Sequence, residues 1–369
     1  MPFLEKSELA RRLRRHAALH RQELRDGPLV KMAAWREPAE RDRLQQKHRP
    51  PEEDPARLVA WWTDPAQVTA RLEASLEARV QFGDILPLHF VNLGPGALAA
   101  FMGCRSVPQA TTIWQQELIH DWATAPELRL HEDSFYWQAA QAITRESMAA
   151  SRGRWITSFT DIGGAMDVTS YFRGPENLCA DVIEHPAEVR RAEEAVLAAW
   201  FQVYDRLYQW LHADCGGSTG WLGLWLDGRT YPLQCDFSCM IGPKMFRDFV
   251  MPILSRQAAG LDVATYHLDG PGAIRHLEAL CEIPNLRNIQ WVPGAGNTHR
   301  VADWLDLYRR MLDLGRNIEL YCVEDELDLV FEKLDVDCLA LSIPCDSPAQ
   351  GQRIMSKIDR LRAGRKRVQ

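Results

Sequence analysis

The chain has 369 residues, of which 46% are apolar and 25% charged, and a formal charge of −7. These are globular values; no apolar run approaches the roughly 20 residues that span a bilayer, and the acidic balance gives nucleic acid little to bind. Nine scattered cysteines without a CxxC pair argue for a reducing compartment, and the charged start MPFLEKSELARRLRRH lacks the apolar stretch of a signal peptide, so a cytoplasmic location is expected.

Residues 4–49 are rich in Arg, Glu, Gln, Ala and Leu, the composition of surface helices, and end at His48-Arg49-Pro50-Pro51. Within them Arg11, Arg12, Arg14 and Arg15 read as a solvated helix face. A second helix is expected over about 65–81, capped by Thr63 or Asp64. After Asp84 the pattern changes: ILPLHFVNLGPG is a short apolar run that exits in Gly and Pro, the mark of a buried strand. The aromatic, irregular stretch Gly103 to Arg152 reads as an inserted cap with helices. From Trp155 the alternation becomes regular. RWITSFTDIGG is a strand and loop, and PAEVRRAEEAVLAAWFQVYDRLYQWL a long amphipathic helix. Then come STGWLGLWLDG, DVATYHLDGPG, LRNIQWVPGAG, IELYCVEDE and DCLALSIPCDS as strands with helical stretches among them. Seven strand candidates separated by helices predict an α/β fold with a parallel sheet, and polar residues recurring just after strands favour closure into a TIM-type (β/α)8 barrel. Residues 1–82 form a helical extension on this reading and 83–369 the barrel. A doubly wound sheet stays open, although its G-x-G-x-x-G fingerprint is missing from the first strand–helix turn.

Barrel chemistry sits at the carboxyl ends of strands, which narrows the candidates. They are His89 and Asn92, Asp161 and Asp167, Asp236, His267 and Asp269, Gln290 and Trp291, Cys322 and Glu324, and Cys345. In Tyr266-His267-Leu268-Asp269-Gly270 the strand pleat sends His267 and Asp269 to one side, where both can meet one ion. The alternative is a turn-capping Asp and a hydrogen-bonded core His. Asp161 and Asp236 suit acid–base work, because desolvation raises a carboxyl's pKa; Asp167 reads as a loop cap. Trp225, Trp291 and Tyr231 suggest an aromatic wall for a flat or methylated ligand, and His89, Asn92, Tyr266 and Gln290 complete the expected substrate contacts. The loops GPGA and PGAG can bring backbone N–H groups to an anion, or serve only as turns.

At QCDFSCMIGPKMFRDFVMPIL, YHLDGPGAIRHLEAL and IQWVPGAG the sequence resembles the uroporphyrinogen decarboxylase-like superfamily, over roughly residues 60–365. The resemblance implies a distorted (β/α)8 barrel. In the superfamily's methyltransferases a His-x-Cys pair and a distant Cys bind zinc, which holds a substrate thiolate. His267 matches the His, Asp269 stands at the first Cys, and Cys345 falls near the second, so the implied metal set is His267, Asp269 and Cys345. Cys322 and Glu324 are reserve ligands. The decarboxylase itself holds substrate carboxylates with an FMRQAGR-like motif, which is absent; LPLHFVNLGPGALAAFMG has no Arg before Arg105.

The expected function is therefore zinc-assisted methyl or alkyl transfer to a small-molecule substrate, with Asp161, Asp236 and His267 catalytic. A corrinoid protein is the expected methyl partner, since the chain has no DxHxxG signature of its own. The alternative is a metal-free decarboxylase or lyase acting on a cyclic anionic substrate. Neither a nucleic acid nor a membrane partner is expected, and a homodimer stays open.

Overall fold

A computed structural model describes residues 3–365. Its strands are β1 (Leu29–Trp35), β2 (Arg79–Gly83), β3 (Leu88–Phe90), β4 (Ser106–Pro108), β5 (Ile113–Gln115), β6 (Ile156–Ser158) and β7 (Ser218–Thr219), followed by β8 (Trp225–Leu226), β9 (Thr230–Gln234), β10 (Val263–Asp269), β11 (Leu286–Val292), β12 (Asn317–Tyr321) and β13 (Leu339–Ser342). One seven-stranded sheet runs β2-β1-β13-β12-β11-β10-β9, parallel except for the antiparallel β1–β2 pair. The expected α/β architecture with a mostly parallel sheet is thus present. Continuous ladders stop at seven strands; β3–β6, β4–β5 and β7–β8 form separate short pairs. Among the described residues no helix is long and apolar enough to cross a membrane.

The central strands are buried on both faces, which is why their sequences are apolar runs rather than alternations. Helices Met251–Ala259, Leu305–Asp313 and Pro348–Gly364 return the chain between or after them. The 30-residue helix Pro186–Cys215 buries Trp200 and Tyr204, which stack 4.9 Å apart, and stops where Gly216 takes a left-handed conformation at φ 70°. Asp64 caps the helix Pro65–Glu77 by accepting from Gln67 N at 2.9 Å, as the turn signal predicts.

Three sequence expectations are corrected. Residues 4–49 are not all helical, because LVKMAAW forms β1, inside the main sheet and parallel to β13. β1 lies on the N-terminal side of the expected 82/83 boundary and β2, Arg79–Gly83, runs across it. STGWLGLWLDG is not one strand but the antiparallel pair β7–β8, and the wall strand after it is β9, TYPLQ. Pro232 sits in β9 at the end of the ladder, where a missing N–H is tolerated. The arginine cluster is not simply a solvated face either. Arg12 and Arg15 are buried, Arg12 against Glu8 and Arg15 against Asp84 and Asp26.

These arginines lie on the helix Lys6–His20, which closes the amino ends of the strands. His16 donates from Nε2 to Asp84 O at 2.8 Å and accepts from Trp225 N at 3.2 Å, and Asn288 donates to His20 Nδ1 at 2.8 Å. Burial depresses both imidazoles, His16 to about 4 and His20 to about 3. The unfolded chain then binds more protons below pH 6.5. Stability from these two groups is full above that pH and is lost as pH falls through 4 and toward 3. The urea midpoint is expected to drop by an amount worth a few kcal/mol, about 1.4 kcal/mol per pKa unit and group; a midpoint flat from pH 7 to 4 would contradict this account.

Candidate metal centre and adjoining cavity

The strands deliver their polar residues to the opposite, carboxyl end. His267 and Asp269 end β10 and share one face of it; Asp236 follows β9, the strand paired with β10. One ligand atom from each of Asp236, His267 and Asp269 falls within 4.8 Å of the others, and His267 Nε2 lies 3.8 Å from Asp236 Oδ1. The Gln290 amide oxygen accepts from His267 Nδ1, which leaves Nε2 to face the carboxylates. Trp221 packs edge-on against the imidazole at 5.1 Å. Asp269 does not cap the turn after it: Oδ1 is buried without a hydrogen-bond partner, and the Pro271–His276 turn has no side-chain cap. An orphaned buried carboxylate oxygen beside an imidazole with an oriented free nitrogen fits a divalent ion.

Two more aspartates stand behind the cluster. Asp161, after β6, accepts from Gly163 N at 2.8 Å and from Tyr231 Oη at 3.4 Å. Burial pushes its carboxyl up to about 6, with Asp236 adding to the rise. The GPGA loop meets this segment through its backbone, Ala97 N donating to Asp161 O at 2.8 Å. Asp167 is not the loop cap expected; it lies on the helix Ala165–Arg173, buried, with Oδ1 accepting from Phe237 N at 2.9 Å and Oδ2 unpartnered. Its carboxyl is pushed well up by burial and by Asp236. Gly164 permits this meeting of loops, since a Cβ there would lie 1.9 Å from Gln234 O. Asp236 is also raised by burial, opposed by His267 and reinforced by Asp269; with its side chain 52% exposed, water tempers the effect.

A cavity of about 460 Å³ opens beside this cluster at the ends of β11, β12 and β13. Gln290, Trp291, Val292, Pro293, His299, Glu319, Leu320, Tyr321 and Ser342 line it. Gln290 belongs to both places. A larger, open depression between Leu4–Leu9 and Ala150–Arg154 lies on helix surfaces away from the strand ends.

Other expected contacts are elsewhere. The pleat that brings His267 and Asp269 together turns Tyr266 to the opposite face, where it is buried. His89 bonds through Nδ1 to Ser147 Oγ at 2.6 Å, under the helix Phe135–Ser151. Asn92 accepts from Gly94 N at 3.0 Å in the loop. Trp225 packs with Ala17 and Leu86 near the helix that closes the strand starts, and Tyr231 packs edge-on to Trp200. Cys345 is not gathered with His267 and Asp269; its Sγ donates to Ser347 O at 3.2 Å. Cys322 is buried, and Glu324 pairs with Arg353. Glu319, buried in the cavity wall, and its ion-pair partner Lys31 were absent from the sequence candidates. The available signal was a single Glu inside the apolar strand NIELY, since buried acids are rare unless partnered.

No protein-family model and no curated protein matches the sequence. Among solved structures, a methyltransferase from Methanosarcina mazei matches with a TM-score of 0.62 at 12% identity, over 95% of this chain and 98% of that one. The two chains share a fold along nearly their whole lengths.

Proposed function

We propose that this chain is a metal-assisted methyl or alkyl transferase of the uroporphyrinogen decarboxylase-like superfamily. Its short strand pairs complete the wall of a distorted (β/α)8 barrel on this reading: Phe159 N donates to Thr219 O at 3.1 Å between β6 and β7, and Thr230 N to Ser218 Oγ at 3.1 Å between β9 and β7. The observation that carries the function is the convergence of Asp236, His267 and Asp269 beside a cavity. The fold shared with the Methanosarcina mazei methyltransferase supports the same direction.

Asp236, His267 Nε2 and Asp269 would hold zinc, Asp236 taking the third-ligand role that the family resemblance gives to Cys345. When bound, zinc would supply Lewis acidity that keeps an acceptor thiol ionised near neutral pH. The remaining work falls to the chain. Gln290 fixes the imidazole tautomer, Trp221 limits its rotation, and Asp161, the buried carboxyl beside Asp236, is the group placed to take up the acceptor's proton. A corrinoid protein is the proposed methyl partner. The metal-free decarboxylase reading lacks this support, because the paired carboxylates of Asp236 and Asp269 would repel an anionic substrate.

Elemental analysis of the purified protein is expected to find about one divalent metal per chain. Asp269→Ala should lose it and Cys345→Ser should keep it. Methyl transfer from methylcobalamin to 2-mercaptoethanol, followed by the corrinoid's absorbance, should depend on that metal. A metal-free wild-type protein sinks the reading.

A further inference from the structure

The cavity contains a charge arrangement that the metal centre does not use. His267, Gln290 and Glu319 are register partners across β10, β11 and β12, so one row of side chains runs from the metal centre into the cavity. Glu319 ends this row only 5% exposed. Its Oε1 is occupied: Lys31 Nζ binds there and also donates to Leu222 O at 2.7 Å, while Ser342 Oγ donates to Oε1 at 3.3 Å. Oε2 has no partner.

Buried polar atoms are rarely left unpaired, so the free Oε2 calls for a donor from a ligand. Its charge follows from Lys31, which already offsets Glu319. A second ammonium would meet the charge of Lys31; a carboxylate would meet Glu319 with Asp236 and Asp269 nearby. What remains is an uncharged donor. Its shape follows from the wall where Tyr321 and His299 set aromatic rings with centroids 6.0 Å apart. The volume is that of a site for a small molecule.

We propose that this cavity binds an uncharged, flat ligand whose O–H or N–H donates to Glu319 Oε2. The inference rests on the transferase reading only in directing the ligand's reactive end toward His267. It names the substrate class for that site.

The test uses the purified protein, with its metal content measured, and isothermal titration calorimetry. Phenol offers an O–H, 2-pyridone an N–H, anisole neither, and benzoate and benzylammonium carry the two charges. Phenol or 2-pyridone is expected to bind at least about tenfold more tightly than the other three, the scale of one buried hydrogen bond. Which of the two binds better identifies the donor. Glu319→Gln should bring phenol and anisole together, and this arm separates Glu319 from direct coordination of phenol by a metal. The proposal is overturned if anisole matches phenol, if a charged ring binds best, if no probe binds at millimolar concentration, or if Glu319→Gln keeps the preference. Should the variant fail to fold, the wild-type series alone still decides. A protein that selects phenol but holds no metal defeats the transferase reading and leaves this one standing; a metal-loaded, active protein without the preference does the reverse.

Discussion

Replacing His267 by alanine is expected to lower methyl transfer by about 10³-fold, the largest loss of activity from any single change at this centre. Lewis-acid stabilisation is worth several kcal/mol, and each 1.4 kcal/mol is about a factor of ten in rate. His267 is the only nitrogen ligand in the cluster, and its ring is held from both sides by Gln290 and Trp221. Removing it leaves two carboxylates facing each other without the neutral ligand between them, so metal affinity and rate should fall together. Gln290→Ala provides the contrast. It keeps all three ligands but frees the imidazole to rotate, which is expected to weaken metal binding by about 10–100-fold, with activity restored when metal is added in excess. Steady-state rates against added zinc read both effects. A His267→Ala protein with wild-type activity in chelator-treated buffer would remove the metal centre from the mechanism.

The contrast between these two residues also marks what could be read in the sequence. His267 and Asp269 were legible because two residues in one strand, one apart, share a face whatever the rest of the fold does. Asp236 was legible only as a polar residue at a strand exit; that it meets His267 depends on β9 pairing with β10, which no local pattern encodes. The Lys31–Glu319 pair, 288 residues apart, was beyond reach. Its lysine lies in a strand that the surrounding Arg- and Glu-rich segments disguised as helix. The four strands β10 to β13 stood out because a strand buried on both faces must be a short apolar run, and Gly or Pro ended several of them. Tyr266 and His89 were misplaced for a simpler reason: nearness in sequence to a strand end was taken as nearness to the site, when the pleat sends alternate residues away from it. Cys345 was read as a strand-end residue, and the family correspondence then made it a ligand. Its backbone hydrogen bond to Ser347 belongs to the turn before the last helix.

At the far end of the strands, Asp84→Ala is expected to cost about 3–5 kcal/mol of folding stability, the range for removing one partner from a buried ion pair. Asp84 accepts from Arg15 Nε at 2.9 Å, from Arg11 Nη1 at 3.0 Å and from Val30 N at 3.0 Å, with its side chain only 2% exposed. The alanine leaves Arg15 to Asp26 and to the carbonyls of Gly27 and Pro28, of which Asp26 is largely in water. It also strips the acceptor from the Val30 amide at the start of β1. Asp84→Asn keeps the volume and one oxygen, and should lose less, about 1–3 kcal/mol. Urea unfolding with an unchanged slope would read both, and an alanine variant within about 0.5 kcal/mol of wild type, the span of ordinary surface changes, would show that the pair contributes little. The effect should extend to the opposite end of the sheet. Val30 precedes Lys31, so the carboxylate that anchors β1 also fixes the strand from which Lys31 reaches Glu319. In the folded fraction of Asp84→Ala, ligand selectivity at the cavity should therefore weaken while metal binding at β10 persists, because His267 and Asp269 belong to a strand that Asp84 does not touch.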